Sequence, residues 1–256
     1  MIAQEFNRLR LAIGLLTRLP VGQLSNFEPS ELVRAAKYFP LAGAIVGSAG
    51  AIAILVSSAL LPDPLPVVIG LATALLISGA FHEDGLADSA DGLFGGQTVE
   101  RRLAIMKDSR IGTFGVLALI TVLALKGVSL STVDALSMSR VMIGAHAAAR
   151  FFCTAAMWAL PYVRPAEQSK YGALSSRVSF QEMLIALALV MAASALALQP
   201  ATLMFGFAAA LCGACLIGLA AKRRIGGITG DILGAIEQMS ETLFMIAAVA
   251  VIAGPG

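Results

Sequence analysis

The sequence predicts an all-α, polytopic membrane protein with about seven transmembrane helices and an N-terminal amphipathic helix. Of its 256 residues, 58% are hydrophobic and 13% are charged, and the mean hydropathy is +0.84. This charged share is about half that of soluble domains, which leaves too little polar surface to cover a soluble fold of this size. Long apolar segments recur along the chain, and the loops between them alternate in charge. We therefore expect one integral membrane domain over residues 1–256.

The first element is an amphipathic helix at the membrane interface, within residues 1–20. Arg8 and Arg18 interrupt the apolar residues, so no continuous apolar core typical of a secretory signal is present. Leu9 and Leu16 share one helical face, and the arginines can extend towards lipid phosphates.

Seven apolar segments are candidates for crossing the bilayer, which takes about 20 residues of helix. They are 41–61, 65–81, 113–131, 135–160, 182–198, 201–220 and 242–254. The second and the last are the weakest because they are short. At the start of the first segment, Gly43 and Gly47 form a G-x-x-x-G pair that predicts close helix packing.

Basic residues are concentrated in alternate loops. All but three of the 18 Lys and Arg residues lie before the first segment or in the loops that follow the second, fourth and sixth. The positive-inside rule therefore places the N-terminus and these loops in the cytoplasm. A net charge of +2 is too small to predict nucleic-acid binding.

An acidic segment, HEDGLADSADG, follows the second predicted span. Asp84, Asp88 and Asp91 are spaced i, i+4 and i+7, so they share one face of a helix, and His82 and Glu83 precede them. Carboxylates this close repel one another unless a cation binds them, and Mg²⁺ prefers such oxygen ligands. The sequence therefore predicts a Mg²⁺ site. The alternative is an ordinary solvated loop, which does not explain the shared face.

A basic stretch completes the loop 82–112 that we predict to hold the active site. Lys107 and Arg110 suit phosphate oxygens, and they flank Asp108 and Ser109. Gly112 supplies flexible backbone that can surround a phosphate. Acidic groups for a metal beside basic groups for a phosphate are typical of phosphoryl transfer.

A second motif occupies residues 221–241 and opens the last helix with a glycine-rich turn. The backbone at Thr229 and Gly230 can hold an anion, whereas Asp231 can equally be an ordinary helix cap. Glu241 enters the apolar run, where a carboxylate is costly unless it is paired. Glu237 is not assigned a role.

The fourth span contains Arg150, roughly 15 Å from its inner end by helical rise. An arginine at this depth predicts a functional site with Glu241, Asp231 or a substrate phosphate as its partner. His146 lies one turn away, and its simplest role is an interhelical hydrogen bond.

Together these stretches resemble the cobalamin synthase family, also called adenosylcobinamide-GDP ribazoletransferases. The matching stretches are LLTRLPV at 15–21, YFPL at 38–41, residues 82–96, residues 101–115 with MKDSRIGT at 106–113, and residues 226–241. They span nearly the whole chain.

The resemblance implies the final, Mg²⁺-dependent step of adenosylcobalamin synthesis at the cell inner membrane. The substrates would be adenosylcobinamide-GDP and α-ribazole or its 5′-phosphate, with GMP released, and other enzymes of the pathway can dock on the cytoplasmic loops. Expected metal ligands are Asp84, Asp88 and Asp91 with Glu83. The expected catalytic groups are His82, Asp231, Lys107, Arg110 and Arg150, and the expected substrate-binding residues are Asp108, Ser109, Gly112, Thr229, Gly230 and Glu241.

Two other functions fit part of the pattern. Residues 88–92 resemble the first half of the CDP-alcohol phosphotransferase signature, although its second half is absent. A small-solute transporter would use Arg150 and Glu241 as an intramembrane ion pair, but the sequence shows no paired repeat with broken helices.

Overall fold

A computed structural model of the chain describes residues 2–22, 29–163 and 177–254. In these ranges the regular structure is helical, apart from one isolated bridge between Tyr162 and Ile228. The prediction of an all-α protein is therefore confirmed. The helices are α1 (Ile2–Leu16), α2 (Pro29–Ala35), α3 (Phe39–Ser58), α4 (Leu65–Ser78), α5 (Phe81–Gly95), α6 (Val99–Ile105), α7 (Thr113–Leu130), α8 (Ala135–Ala159), α9 (Phe180–Ala195), α10 (Pro200–Ile225) and α11 (Gly230–Ala253), and a 3₁₀ turn joins α2 to α3.

Each predicted span corresponds to a helix, but the count of seven crossings is not confirmed. In the described ranges five segments are long and apolar enough to cross a bilayer alone: Ser30–Ser58, which contains α3, and then α7, α8, α10 and α11. Helices α4 and α5 qualify only as a pair bent by 88°, which makes six crossings at most. Helix α9 has 16 residues and remains short. The last span is longer than predicted because α11 already begins at Gly230.

Helix α8 lies at the centre of the bundle, in contact with α3, α9, α10 and α11. Glycines allow α3 to approach it closely: a Cβ atom at Gly47 would lie 2.6 Å from the carbonyl oxygen of Met142, and one at Gly43 would collide with that of His146. The predicted role of the G-x-x-x-G pair in packing is confirmed.

The N-terminal helix is fixed to the start of the first span by ion pairs. Arg8 Nε lies 2.6 Å from Glu31 Oε2, and Lys37 Nζ lies 2.7 Å from Glu5 Oε2. Burial alone would raise the pKa of the Glu5 carboxyl group. Hydrogen bonds from Lys37 and Tyr38 outweigh this effect and lower the pKa to about 2. The expectation that Arg8 extends to lipid phosphates is wrong, since these carboxylates bind its guanidinium group.

The basic loops meet at one end of the bundle, as the prediction that they lie on the same side of the membrane requires. Arg102 Nη1 donates to the carbonyl oxygen of Arg224 at 3.0 Å, and Arg224 Nη1 donates to that of Leu93 at 2.6 Å. The backbone amide of Ile228 donates to the carbonyl oxygen of Pro161 at 2.8 Å. Parts of the loops after α5, α8 and α10 are thereby joined. Arg164 and Lys170, two of the predicted cytoplasmic bases, lie outside the described residues.

Candidate active site

The acidic segment forms helix α5, so Asp84, Asp88 and Asp91 do lie on one helical face. Their environments differ: Asp84 is exposed, Asp88 is half-buried and Asp91 is buried. The helix follows a sharp turn in which Gly79 and Ala80 both have positive φ, at 68° and 55°. This turn places α5 almost perpendicular to α4.

Helix α5 crosses the first turns of α11 with backbone-to-backbone contact. A Cβ atom at Gly85 would lie 2.9 Å from the carbonyl oxygen of Asp231, and one at Gly234 would lie 2.9 Å from that of His82. Only glycine allows this approach. The crossing brings the second sequence motif against the acidic segment, although the two lie about 150 residues apart in the chain.

Thr229, and not Asp231, caps helix α11. Its side-chain oxygen accepts a hydrogen bond from the backbone amide of Ile232 at 3.2 Å, so the alternative of Asp231 as the cap is wrong. Thr229, a predicted substrate-binding residue, is fully buried, and its hydroxyl group contacts its own helix. Gly230 and Asp231 follow in the first turn and are half-buried.

Asp91 holds the start of helix α7. Its Oδ2 accepts from the backbone amide of Gly112 at 2.7 Å, and its Oδ1 accepts from that of Gly115 at 2.9 Å. A Cβ atom at either glycine would lie 2.5 Å from an Asp91 oxygen, so neither position has room for a larger residue. The backbone amide of Gly112, which we predicted to contact a phosphate, therefore donates its hydrogen bond to Asp91 instead.

This capping role leads to a testable difference between two aspartates of α5. Asp91→Ala should destabilise the protein by about 2 kcal/mol, because two amides at the start of α7 lose their acceptor. Asp84→Ala should cost less than about 0.5 kcal/mol, because Asp84 is exposed. Thermal unfolding in detergent compares the two variants, and equal melting temperatures would contradict the capping role.

The basic stretch lies beside the C-terminal half of α5, because Gly92 packs directly against Met106. Within the stretch, Arg110 and Asp108 form a two-pronged pair, with Nε–Oδ1 at 3.0 Å and Nη2–Oδ2 at 2.6 Å. Hydrogen bonding from Arg110 lowers the pKa of Asp108 to about 2. Lys107, Ser109 and Arg110 are exposed. The positive charge that we predicted for Arg110 at a phosphate is thus balanced locally by Asp108.

A cluster of charged side chains lies inside the bundle, where α7, α8 and α11 meet. Arg150 Nη1 lies 2.7 Å from Glu237 Oε1 and 3.7 Å from Glu241 Oε2. Glu241 in turn pairs with Lys126 Nζ at 2.6 Å and with His146 Nδ1 at 2.7 Å. All five residues are at most 5% exposed. The predicted contacts of Arg150 with Glu241 and of His146 with another helix are present, but the nearest partner of Arg150 is Glu237.

Sequence reasoning missed Glu237 and Lys126. Both carried a detectable signal: Glu237 precedes Glu241 by one helical turn, and Lys126 stands alone in an apolar span. Glu241, predicted to bind substrate, lies in this interior cluster instead of on an open surface.

The buried cluster does not fit a divalent metal, although His146, Glu237 and Glu241 can bring three ligand atoms within 4.8 Å of one another. Lys126 and Arg150 already balance the two carboxylates, and two more positive charges in an apolar interior would be strongly unfavourable. In the described residues no comparable group forms from the carboxylates of α5. Asp84 and Asp88 nevertheless fit Mg²⁺, which is usually held by one or two carboxylates with water and substrate phosphates.

His82 is buried, with only 3% of its surface exposed. Its Nδ1 lies 3.9 Å from Glu237 Oε1, and its ring lines an apolar cavity of about 50 Å³ between α1, α5, α8 and α11. Of the two candidate bases, Asp231 is therefore the more accessible.

Comparison with known proteins identifies the relatives of this chain. The family model described as cobalamin-5-phosphate synthase matches residues 8–249. A relative from Bradyrhizobium diazoefficiens is 41% identical over 94% of this chain and 93% of its own length. Relatives from Ralstonia nicotianae and Vibrio parahaemolyticus are 39% and 38% identical, over 93% and 94% of this chain and 92% and 91% of their own lengths. All three are named adenosylcobinamide-GDP ribazoletransferase. No solved structure matches.

Proposed function

Because the chain belongs to the cobalamin-5-phosphate synthase family, we propose that it is an adenosylcobinamide-GDP ribazoletransferase that completes adenosylcobalamin. The 3′-hydroxyl oxygen of α-ribazole, or of its 5′-phosphate, attacks the phosphate on the aminopropanol arm of the corrinoid. The bond from this phosphorus to the bridging oxygen breaks, GMP leaves with that oxygen, and the hydroxyl proton passes to a base. The observation that carries the proposal is the acidic helix beside a basic stretch at one end of a membrane bundle.

Mg²⁺ bound at this site would neutralise charge on the diphosphate. Asp84 and Asp88 can each offer oxygens from one face of α5, and Asp91 retains lone pairs beyond those used by the two amides. The donor set consists of hard oxygens only, which suits this ion.

The other groups of the site position the substrates and move one proton. Exposed Lys107 and Arg110, the latter paired with Asp108, would contact the phosphates from the side of α6. Asp231 lies at the crossing with α5, and we assign it the role of accepting the hydroxyl proton. Arg150 acts from the interior: its ion pair with Glu237 fixes α8 against α11.

A direct assay tests the proposed function. Detergent-purified protein supplied with adenosylcobinamide-GDP, α-ribazole and Mg²⁺ should release one GMP per completed cobamide, and a chelator should stop the reaction. Turnover without a membrane gradient also separates an enzyme from a transporter that uses the buried charges. Absence of product, under conditions in which the Bradyrhizobium relative is active, would refute the assignment.

We place the protein in the cell inner membrane with the N-terminus and α5 facing the cytoplasm, on the basis of the charge bias of the loops. In a cysteine-free background, a cysteine at Asp63 should react with an impermeant thiol reagent from outside, and one at Thr98 should not. The opposite labelling pattern would reverse the orientation.

A further inference from the structure

Glu83 faces a different environment from the aspartates that follow it. It precedes Asp84 by one residue and therefore points about 100° away around α5. Its Oε1 accepts a hydrogen bond from Gln238 Nε2 at 2.8 Å. Its carboxylate, with Lys126 and Glu241, lines an internal cavity of about 10 Å³, which is the space of about one water molecule. Glu83 thus points into the bundle, whereas Asp84 is exposed.

Gln238 joins three helices through one buried amide group. Its Oε1 accepts from Lys126 Nζ of α7 at 2.7 Å, while its Nε2 donates to Glu83 of α5 and to Glu237 of its own helix at 2.9 Å. The side chain is 2% exposed. Lysine can only donate and carboxylates can only accept, so these partners fix the orientation of the amide. Both amide hydrogens and the oxygen have partners.

The rotation of α5 about its own axis sets the direction of the aspartate face, and Asp91 fixes it only on the side of α7. On the side of α11, the closest backbone approach is between Gly85 and Gly234, which have no side chains to interlock. At its start, the preceding turn contains two residues with positive φ. A functional site tolerates only about 10–20° of misorientation. A hydrogen bond in a low-dielectric interior can hold the helix within that limit.

We propose that Glu83 is not a metal ligand and that Glu83 and Gln238 are a positioning pair, which sets the orientation of α5 and hence of the aspartate face. The proposal rests on the proposed Mg²⁺ site. It replaces the direct ligand role expected for Glu83 from the sequence. Side chains that orient metal ligands from outside the ligand set typically contribute 10–100-fold to metal affinity.

The test is the affinity of detergent-purified protein for Mn²⁺ alone, measured by electron paramagnetic resonance. Gln238→Met keeps the length and removes the hydrogen bonds, and it should weaken Mn²⁺ binding about tenfold. The matched control is Ser240→Ala on the same helix, whose hydroxyl donates to Ala210 of α10 at 3.1 Å. This control should leave the affinity within about twofold. Unchanged Mn²⁺ affinity in Gln238→Met would overturn the proposal.

A double-mutant cycle separates positioning from direct ligation. If the two residues act as a pair, Gln238→Met should have no further effect in a Glu83→Ala background. Multiplying effects, or weaker Mn²⁺ binding in Glu83→Ala that Gln238→Met does not share, would refute the pair. If Gln238→Met does not fold, Gln238→Glu tests the same contact, because it places a carboxylate oxygen against Glu83.

The wild-type protein distinguishes this proposal from the proposed function. Mn²⁺ binding without GMP release would refute the reaction and leave the pair testable. GMP release without Mn²⁺ binding would remove the metal site and the pair with it.

Discussion

Replacement of Asp88 by alanine should lower the rate of GMP release by about 10²–10³-fold. Asp88 is half-buried in the middle of the acidic face of α5, between the exposed Asp84 and the buried Asp91. Loss of its carboxylate removes one expected oxygen ligand of Mg²⁺, the ion that would neutralise the charge of the diphosphate. The measurement is the turnover number at saturating Mg²⁺, combined with Mn²⁺ affinity, which should fall in parallel.

Two comparisons make the Asp88 result specific. Asp63→Ala, in an exposed loop at the other end of the bundle, should keep the wild-type rate. The melting temperature of Asp88→Ala should stay close to that of the wild type, so that lost turnover is not lost folding. If Asp84→Ala, Asp88→Ala and Asp91→Ala all retained near-normal rates, the metal site on α5 would be wrong.

Replacement of Arg150 by methionine should destabilise the protein by about 3–5 kcal/mol. Arg150 is 1% exposed, and its Nη1 lies 2.7 Å from Glu237 Oε1, which is buried as well. Without the guanidinium group, the carboxylate of Glu237 remains in an apolar interior with no cation at this distance. Unfolding in detergent, followed by loss of helical signal, measures the effect.

The partner of Arg150 is identified by a compensating change. Arg150→Met combined with Glu237→Gln should recover most of the lost stability, because the unpaired charge is then absent. Arg140→Met on the same helix is the matched control, and it should have little effect because Arg140 is exposed. If the double variant lost as much stability as the sum of the losses in the two single variants, the Arg150–Glu237 pair would not be what stabilises the bundle.

Local patterns predicted much of this protein because they depend only on neighbours in the chain. Apolar length located α3, α4 and α7 to α11, and the spacing of Gly43 and Gly47 predicted close helix packing, which the α3–α8 contact provides. The i, i+4, i+7 spacing placed three aspartates on one face of α5. In each case a helical period converts sequence spacing directly into geometry.

The structure also shows local contacts that the sequence patterns did not predict, at turns and at helix caps. Arg110 was predicted to bind phosphate, yet it pairs with Asp108, because a turn brings two neighbours together that a helix would separate. The second span was predicted to run to residue 81, but α4 ends at Ser78, before a turn with positive φ. Thr229 was predicted to bind an anion but caps its own helix.

The sequence by itself therefore determined the membrane class, the helices, the family and the acidic face. Only the tertiary structure decided which charges meet inside the bundle. The sequence marks Glu237 and Lys126 as charges within apolar helices, but their partners appear only when α7, α8 and α11 pack together. The physical reason is that a buried charge is stable only beside its counter-charge, and the fold alone fixes which two side chains are adjacent.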